Sequence, residues 1–375
     1  MSMQEELKKK LDEELKKAQE EIKKPNIMII GATGVGKSSL INLIFGEDIA
    51  KIGIGKPVTK EITKYENKSV PVVIYDSIGY ELEIDKSEKH TQNITEFILE
   101  NKNSVENQIH IVWYAVSIVG HRITDFDIKA LEDIRKTKTP IALILTKCDL
   151  SDVEKDIKPM KNFIHENINW LPAFALTINK INNGYLELNN LINWTINSLP
   201  EGVQAGFIKA QRVNLEEKRK KAKSIILHHA TGGGLVGFVP IPFSDAPILI
   251  ANEMGMVARI MNIYNLDSYI DLVKSLVGAG IGEFISSIAI WLVGQLIEFI
   301  PGVGSIIGAT ITASVAATIT YTIGYATDEF CFRISKAAIE GNENELSNLL
   351  NKDTAGKIFE SILQEKYKEN KDKTN

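Results

Sequence analysis

The chain has 375 residues, a formal net charge of −5, 44% hydrophobic and 24% charged residues, and two cysteines, Cys148 and Cys331. That length suits two domains rather than one core. The acidic balance argues against a nucleic-acid partner, and two distant cysteines argue against a disulfide framework or zinc site, so a reducing cytosol fits.

The first 24 residues are charged and helix-forming, with no apolar signal-peptide core, so the chain is expected to begin in the cytosol. Leu7, Leu11, Leu15, Ala18 and Ile22 recur at steps of three and four, which predicts one amphipathic helix ending before Pro25. The stripe is expected to pack on the adjoining domain; a short coiled-coil contact is the alternative.

Residues 25–200 alternate apolar runs with amphipathic segments. Strands are predicted at Ile27–Ile30, Glu61–Glu66, Val70–Tyr75, Ile109–Val116, Ile141–Leu145 and Pro172–Leu176. Helices are predicted at Lys37–Phe45, Glu88–Asn101, Asp125–Lys136 and Tyr185–Ser198, with Thr124 as the cap of the third. The alternation predicts an α/β fold, a doubly wound and mostly parallel sheet. Asn67-Lys68 suits a hairpin turn, which would set the second strand antiparallel at an edge.

The strongest chemical signal is Gly31-Ala-Thr33-Gly34-Val35-Gly36-Lys37-Ser38, with Ser39 behind it, between an apolar strand and a helix. Glycines let backbone amides turn inward around phosphate oxygens, and the helix N-terminus adds partial positive charge. Lys37 is placed to reach the β and γ phosphates, and the Ser38 hydroxyl to ligate magnesium. Asp76-Ser77-Ile78-Gly79 ends another strand; there Asp76 would hold Mg2+ through water and the Gly79 amide would bond the γ-phosphate. The loop at 52–63 carries Thr59 after Pro57, a hydroxyl to complete the magnesium shell only when the γ-phosphate is present. Lys37, Thr59 and Gly79 are thus the candidate catalytic groups.

A phosphate loop alone does not separate ATP from GTP. Thr146-Lys147-Cys148-Asp149 follows the run Ile141–Leu145, at a strand's carboxyl end where nucleotides bind. Asp149 can accept two hydrogen bonds from N1 and N2 of guanine, partners that adenine lacks, while the Lys147 stem covers the base.

Together these pieces resemble the translation-factor-like GTPases, in particular the Era-like and septin-like group, over about residues 25–200. Gly31–Ser38 looks like that family's first motif, Thr59 its second, Asp76–Gly79 its third and Thr146–Asp149 its fourth. The resemblance implies GTP/GDP as ligand, Mg2+ as cofactor, and Ala175 in Phe174-Ala175-Leu176 as the fifth, base-contacting position. The chain departs from the pattern at Thr146, where Asn is usual, and at Tyr80, where Ras-like members have a water-orienting Gln. It departs again at Gly34, where some relatives place a potassium-assisting Asn. The resemblance therefore implies slow intrinsic hydrolysis, helped by Glu81, Glu83 or Arg122, by a partner, or by a nucleotide-dependent homodimer.

Residues 201–366 read as a C-terminal all-α domain, followed by a polar tail at 367–375. A basic stretch carries Lys209, Arg212, Lys218, Arg219, Lys220, Lys221 and Lys223. Two long apolar stretches, about 272–300 and 305–326, join at Pro301-Gly302-Val303-Gly304 and predict a tight hairpin. Its length suits a bilayer, while its threonines and its stripe of Glu283, Ser287, Gln295 and Glu298 suit a protein core. Both surroundings, membrane contact at a cytoplasmic face and a helical-bundle interior, stay open. Pro240–Pro247 resembles a segment of an uncharacterised helical domain found behind Era-like GTPase domains in some bacterial proteins. The expected function is a GTP-hydrolysing switch that signals to this domain; the alternative is a nucleotide-gated scaffold or membrane-remodelling module.

Overall fold

The computed structural model describes residues 3–46, 56–57, 62–67, 70–77, 84–104, 106–119, 123–150, 152–181, 184–231, 246–266, 269 and 313–374. Contacts divide the chain into a central unit, Ile22–Asn214, and a helical unit made of Met1–Glu21 with Leu215–Asn375.

The central unit runs β1 (Asn26–Ile30), α2 (Lys37–Phe45), β2 (Lys56–Pro57), β3 (Ile62–Glu66), β4 (Val73–Ser77), α3 (Ile84–Glu100), β5 (Ile111–Ser117) and α4 (Asp125–Lys136). It continues through β6 (Ile141–Thr146), α5 (Lys158–Asn167), β7 (Ala173–Ile181), β8 (Gly184–Leu186), α6 (Leu188–Ser198) and α7 (Glu201–Ala210). The sheet order is β2-β3-β4-β1-β5-β6-β7-β8. β4, β1, β5, β6 and β7 are parallel, while β3 returns antiparallel beside β4. Every residue of β1, β5 and β6 is buried. Strands covered on both faces read as continuous apolar runs, which is why the sequence showed them so plainly. β3, next to the short edge strand β2, is half-polar instead.

Thr124 caps α4 reciprocally with Asp127, so this helix starts where the sequence placed it. The expected domain end at 200 moves to Asn214. The reason is aromatic: Phe207 of α7 meets Phe45 and Trp113 edge-on, with ring centroids 6.0 and 6.3 Å apart, and Phe45 stacks on Trp113 at 6.1 Å. At Gly206 an added Cβ would lie 2.2 Å from the Lys23 carbonyl oxygen, so the backbones touch there.

The helical unit holds α1 (Met3–Glu20), α8 (Leu215–Ala230), α9 (Ala246–Tyr264), α10 (Ala313–Glu340), α11 (Glu343–Leu350) and α12 (Lys352–Thr374). Leu11, Leu15 and Ala18 are buried, the two leucines in the same core as Met254, Val257, Met261 and Phe330. The Asn262 amide donates to the Ala18 carbonyl at 2.8 Å. The first helix therefore packs in the helical unit, which corrects the expectation that it covers the adjoining domain. Of the predicted hairpin, residues 272–312 lie outside the described residues. The described part of its second stretch belongs to α10, where Ile319, Ile323 and Ala326 enter the protein core. Among the described residues no helix is long and apolar enough to cross a membrane.

Part of the basic stretch is spent inside the protein, while Arg212, Lys220 and Lys223 stay exposed. Lys209 and Lys218 are buried, and Lys218 Nζ donates to the Ile263 carbonyl at 2.8 Å. Arg219 pairs with Glu329 and lies 3.6 Å over the Phe332 ring.

Glu253 of α9 is fully buried; Thr320 donates to its Oε1 at 2.6 Å, while Oε2 has no hydrogen-bond partner among the described residues. Burial pushes this carboxyl from its ordinary 4.5 up to about 7. The folded chain thus keeps a proton that the unfolded chain releases, and the stabilising effect, complete below pH 4.5, is lost as the pH rises to about 7. At ~1.4 kcal/mol per pH unit the loss is roughly 3 kcal/mol. Glu253→Gln is expected to flatten that slope, seen as similar urea midpoints at pH 5 and pH 8. A slope equal to that of the parent chain would refute it.

Candidate functional site

The carboxyl ends of β1, β4 and β6 carry the three strongest sequence signals to one edge of the sheet. After β1 the chain turns through Gly31 to Gly36 and enters α2 at Lys37. An added Cβ at Gly31 would sit 2.4 Å from the Ala115 carbonyl oxygen, and Gly36 holds φ 107°, a left-handed conformation that side chains resist. Gly31 lets the loop lie against β5, and Gly36 lets it fold over onto the helix. Val35 is buried beneath the loop; Thr33, Gly34 and Ser38 are exposed and Ser39 half-buried.

Lys37 is 9% exposed, and its ammonium donates to the carbonyls of Gly31 at 2.8 Å and Ala32 at 3.3 Å. The side chain therefore curls back over the loop instead of reaching into solvent. Burial lowers its pKa, against the pull of Asp76. Asp76, one residue before the end of β4, has a carboxyl raised to about 6 by burial and held from going higher by Lys37. Its Oδ1 is buried and has no hydrogen-bond partner among the described residues. An uncompensated buried carboxylate oxygen is costly and calls for a cation.

The Thr146 hydroxyl donates to the Val35 carbonyl at 2.5 Å, with the Val116 carbonyl at 3.3 Å. It thereby ties the end of β6 to the phosphate loop, the job that Asn would do in the family pattern. Lys147 takes φ 58°, a left-handed turn that swings the chain into the short helical turn Cys148–Leu150, and Asp149 stands there half-buried. The Cys148 thiol bonds the Leu145 carbonyl at 3.3 Å and anchors that turn from below.

Residues 26–147 match the family model described as 50S ribosome-binding GTPase, and residues 203–357 match Domain of unknown function (DUF697). The GTPase Era of Clostridioides difficile (strain 630) is 23% identical over 294 residues, which are 65% of this chain and 96% of that one. Residues 26–147 are thus similar to P-loop GTPase domains, with Era among the relatives. The tRNA modification GTPase MnmE of Mycoplasma mycoides is 28% identical over 233 residues, 61% of this chain and 47% of that protein. Human Septin-14 is 26% identical over 161 residues, 37% of either chain. The chain thus spans nearly all of one Era relative but less than half of the other two. Among solved structures, an Aquifex aeolicus Era bound to GDP.AlF4- is 17% identical, over 56% of this chain and 67% of that one, with a TM-score of 0.34.

Not every expected site residue is placed. Thr59 and Gly79 lie outside the described residues, as do Tyr80, Glu81, Glu83 and Arg122. Ala175 is placed, and the structure corrects its role. It lies inside β7, opposite Leu145 and 2% exposed, with its amide already donated to Glu187 Oε2 at 2.7 Å. Two positions further toward the carboxyl edge of the same strand stands Thr177. It is 1% exposed, and its hydroxyl has no hydrogen-bond partner among the described residues.

Among the described residues no group of three or more His, Cys, Asp or Glu is placed to hold a metal. A caged metal is not what this donor set suits. The Asp76 carboxylate and the Ser38 hydroxyl are hard oxygens, and they fit a magnesium ion that keeps waters and takes phosphate oxygens as its other ligands.

Proposed function

We propose that the chain is a GTP-hydrolysing switch in which Asp149 reads guanine, the 31–38 loop holds the phosphates, and Ser38, Thr59 and Asp76 hold Mg2+. The observation that carries this reading is the meeting of three strand ends, with Lys37, Asp76 and Thr146 linked through the phosphate loop. When bound, magnesium neutralises developing phosphate charge. Lys37 gives up loop carbonyls for the β and γ phosphates, a charge-assisted exchange that favours binding. Thr59 and the Gly79 amide sense the γ-phosphate, so the loops carrying them change state on hydrolysis. Ala175 is not among the proposed contacts.

The deciding test exchanges Asp149 for Asn. A carboxylate accepts from both N1 and N2 of guanine; an amide pairs instead with the 2-oxo group of xanthine. Asp149→Asn is expected to weaken GDP at least about a hundredfold, near 3 kcal/mol, and to gain xanthosine diphosphate. Calorimetry showing GDP affinity unchanged would reject the assignment.

Tyr80, in place of a water-orienting Gln, favours a second reading in which hydrolysis is negligible and the protein is a nucleotide-gated scaffold. Single-turnover hydrolysis separates the two. Under either reading the helical unit is the proposed responder, at a cytoplasmic site, and the proposed membrane contact narrows to residues 272–312, because α10 commits Ile319, Ile323 and Ala326 to the protein core. Liposome flotation with a non-hydrolysable GTP analogue is expected to show nucleotide-dependent association; absence of flotation in every nucleotide state would end that part of the reading.

A further inference from the structure

Glu187 stands at the head of α6, immediately after β8 and level with Leu145 near the end of β6. Four hydrogen bonds converge on it. Its Oε2 accepts the Ala175 amide at 2.7 Å, and its own amide donates to the Ala175 carbonyl at 3.1 Å. Lys161 of α5 donates to both carboxylate oxygens, at 2.6 and 2.7 Å. One side chain thus fastens a helix, a strand and a helix start at a single point.

That point is close to the base-reading turn. Ala175 pairs with Leu145, the residue before Thr146-Lys147-Cys148-Asp149. Cys148 bonds the Leu145 carbonyl from one side and meets the Leu176 amide on the other, and the charges of Glu187 and Lys161 both act on it. Strand β7 and the turn bearing Asp149 are therefore one assembly, and the Glu187–Lys161 pair closes its outer side. Two hydrogen bonds to the edge of a purine demand tight placement of Asp149, and small displacements are costly in such a geometry.

We propose that Glu187, held by Lys161, is a positioning residue for guanine recognition: it fixes β7 against the turn that presents Asp149. The inference rests on the guanine reading of Asp149 given above. Both side chains of the pair are about one-third exposed, at 33% and 31%, so it contributes little to global stability and its effect belongs to binding.

The test uses the full chain carrying Glu187→Gln or Lys161→Met, titrated with GDP, inosine diphosphate and inorganic pyrophosphate. Inosine lacks the N2 amino group, so the GDP-to-IDP ratio reports the alignment of Asp149. The expected result is a loss of about tenfold in GDP affinity and a narrowed GDP-to-IDP ratio in both variants. Pyrophosphate affinity and melting temperature stay as in the parent, and Lys161→Arg restores the ratio. A parental ratio in Lys161→Met and Glu187→Gln overturns the proposal, as does an equal loss for pyrophosphate. A parent chain that binds GDP, IDP and ADP alike overturns the guanine reading itself, and the clamp with it.

Discussion

Lys37→Ala is expected to bind GDP at least about a hundredfold more weakly than the parent chain, a cost near 3 kcal/mol. Three features set that size. The ammonium is nearly buried, so its bonds form in a medium that screens charge poorly. It is already aimed across the phosphate loop by the carbonyls of Gly31 and Ala32, and little further ordering is needed when phosphate takes their place. It also stands near Asp76 and keeps that carboxyl from rising further. Alanine removes a charge-assisted donor and raises the Asp76 pKa, which weakens magnesium binding as well. Calorimetry with GDP at saturating magnesium measures the loss. An affinity within threefold of the parent, in protein with an unchanged melting temperature, would contradict the role assigned to Lys37.

Leu11→Asp is expected to destabilise the helical unit by on the order of 4 kcal/mol, the cost of an unpaired charge where a leucine was enclosed. Leu11 is 0% exposed and belongs to the core that contains Met254, Met261 and Phe330. The diagnostic is which melting transition moves. Adding GDP raises the transition of the central unit by mass action, which labels it. The substitution should lower the other transition and leave GDP affinity as it was. If the GDP-responsive transition fell instead, α1 would belong on the central unit, as its apolar stripe alone suggested.

These two residues mark what the sequence discloses and what it hides. Lys37 was legible because the phosphate loop is local: a buried strand, glycines at fixed places and a helix start lie within a dozen residues. Helix α4 was equally plain, since Thr124 and Asp127 form its cap within four residues. Leu11 was legible only as half a contact. A stripe at helical spacing states that a partner exists, and the partner here begins beyond residue 214. The Ala175 assignment failed for the same reason at shorter range. Which residue of β7 reaches the sheet edge depends on its register against β6, and an apolar run carries no register mark. Helix α5 was missed although Ile157, Met160, Ile164 and Ile168 keep helical spacing, because it opens on a π turn with Pro159 in the first turn, which blurs its start.

The helical unit is written in two pieces, and this sets an order of events during synthesis. Helix α1 leaves the ribosome before residues 22–214, yet most of its partners are encoded after them. At ~5–20 residues per second that wait lasts roughly 10–40 s. An isolated helix of this length holds its shape poorly in water, so the leucine stripe spends that interval uncovered. The intervening unit can finish in the meantime, because among the described residues its core is drawn from positions 28–175. When it does, the Lys23 carbonyl comes to rest against Gly206, and the two ends of the insert are brought near each other. A loop of nearly two hundred flexible residues is thereby replaced by a rigid staple, and the entropy of closing that loop no longer opposes the late helices when they gather α1.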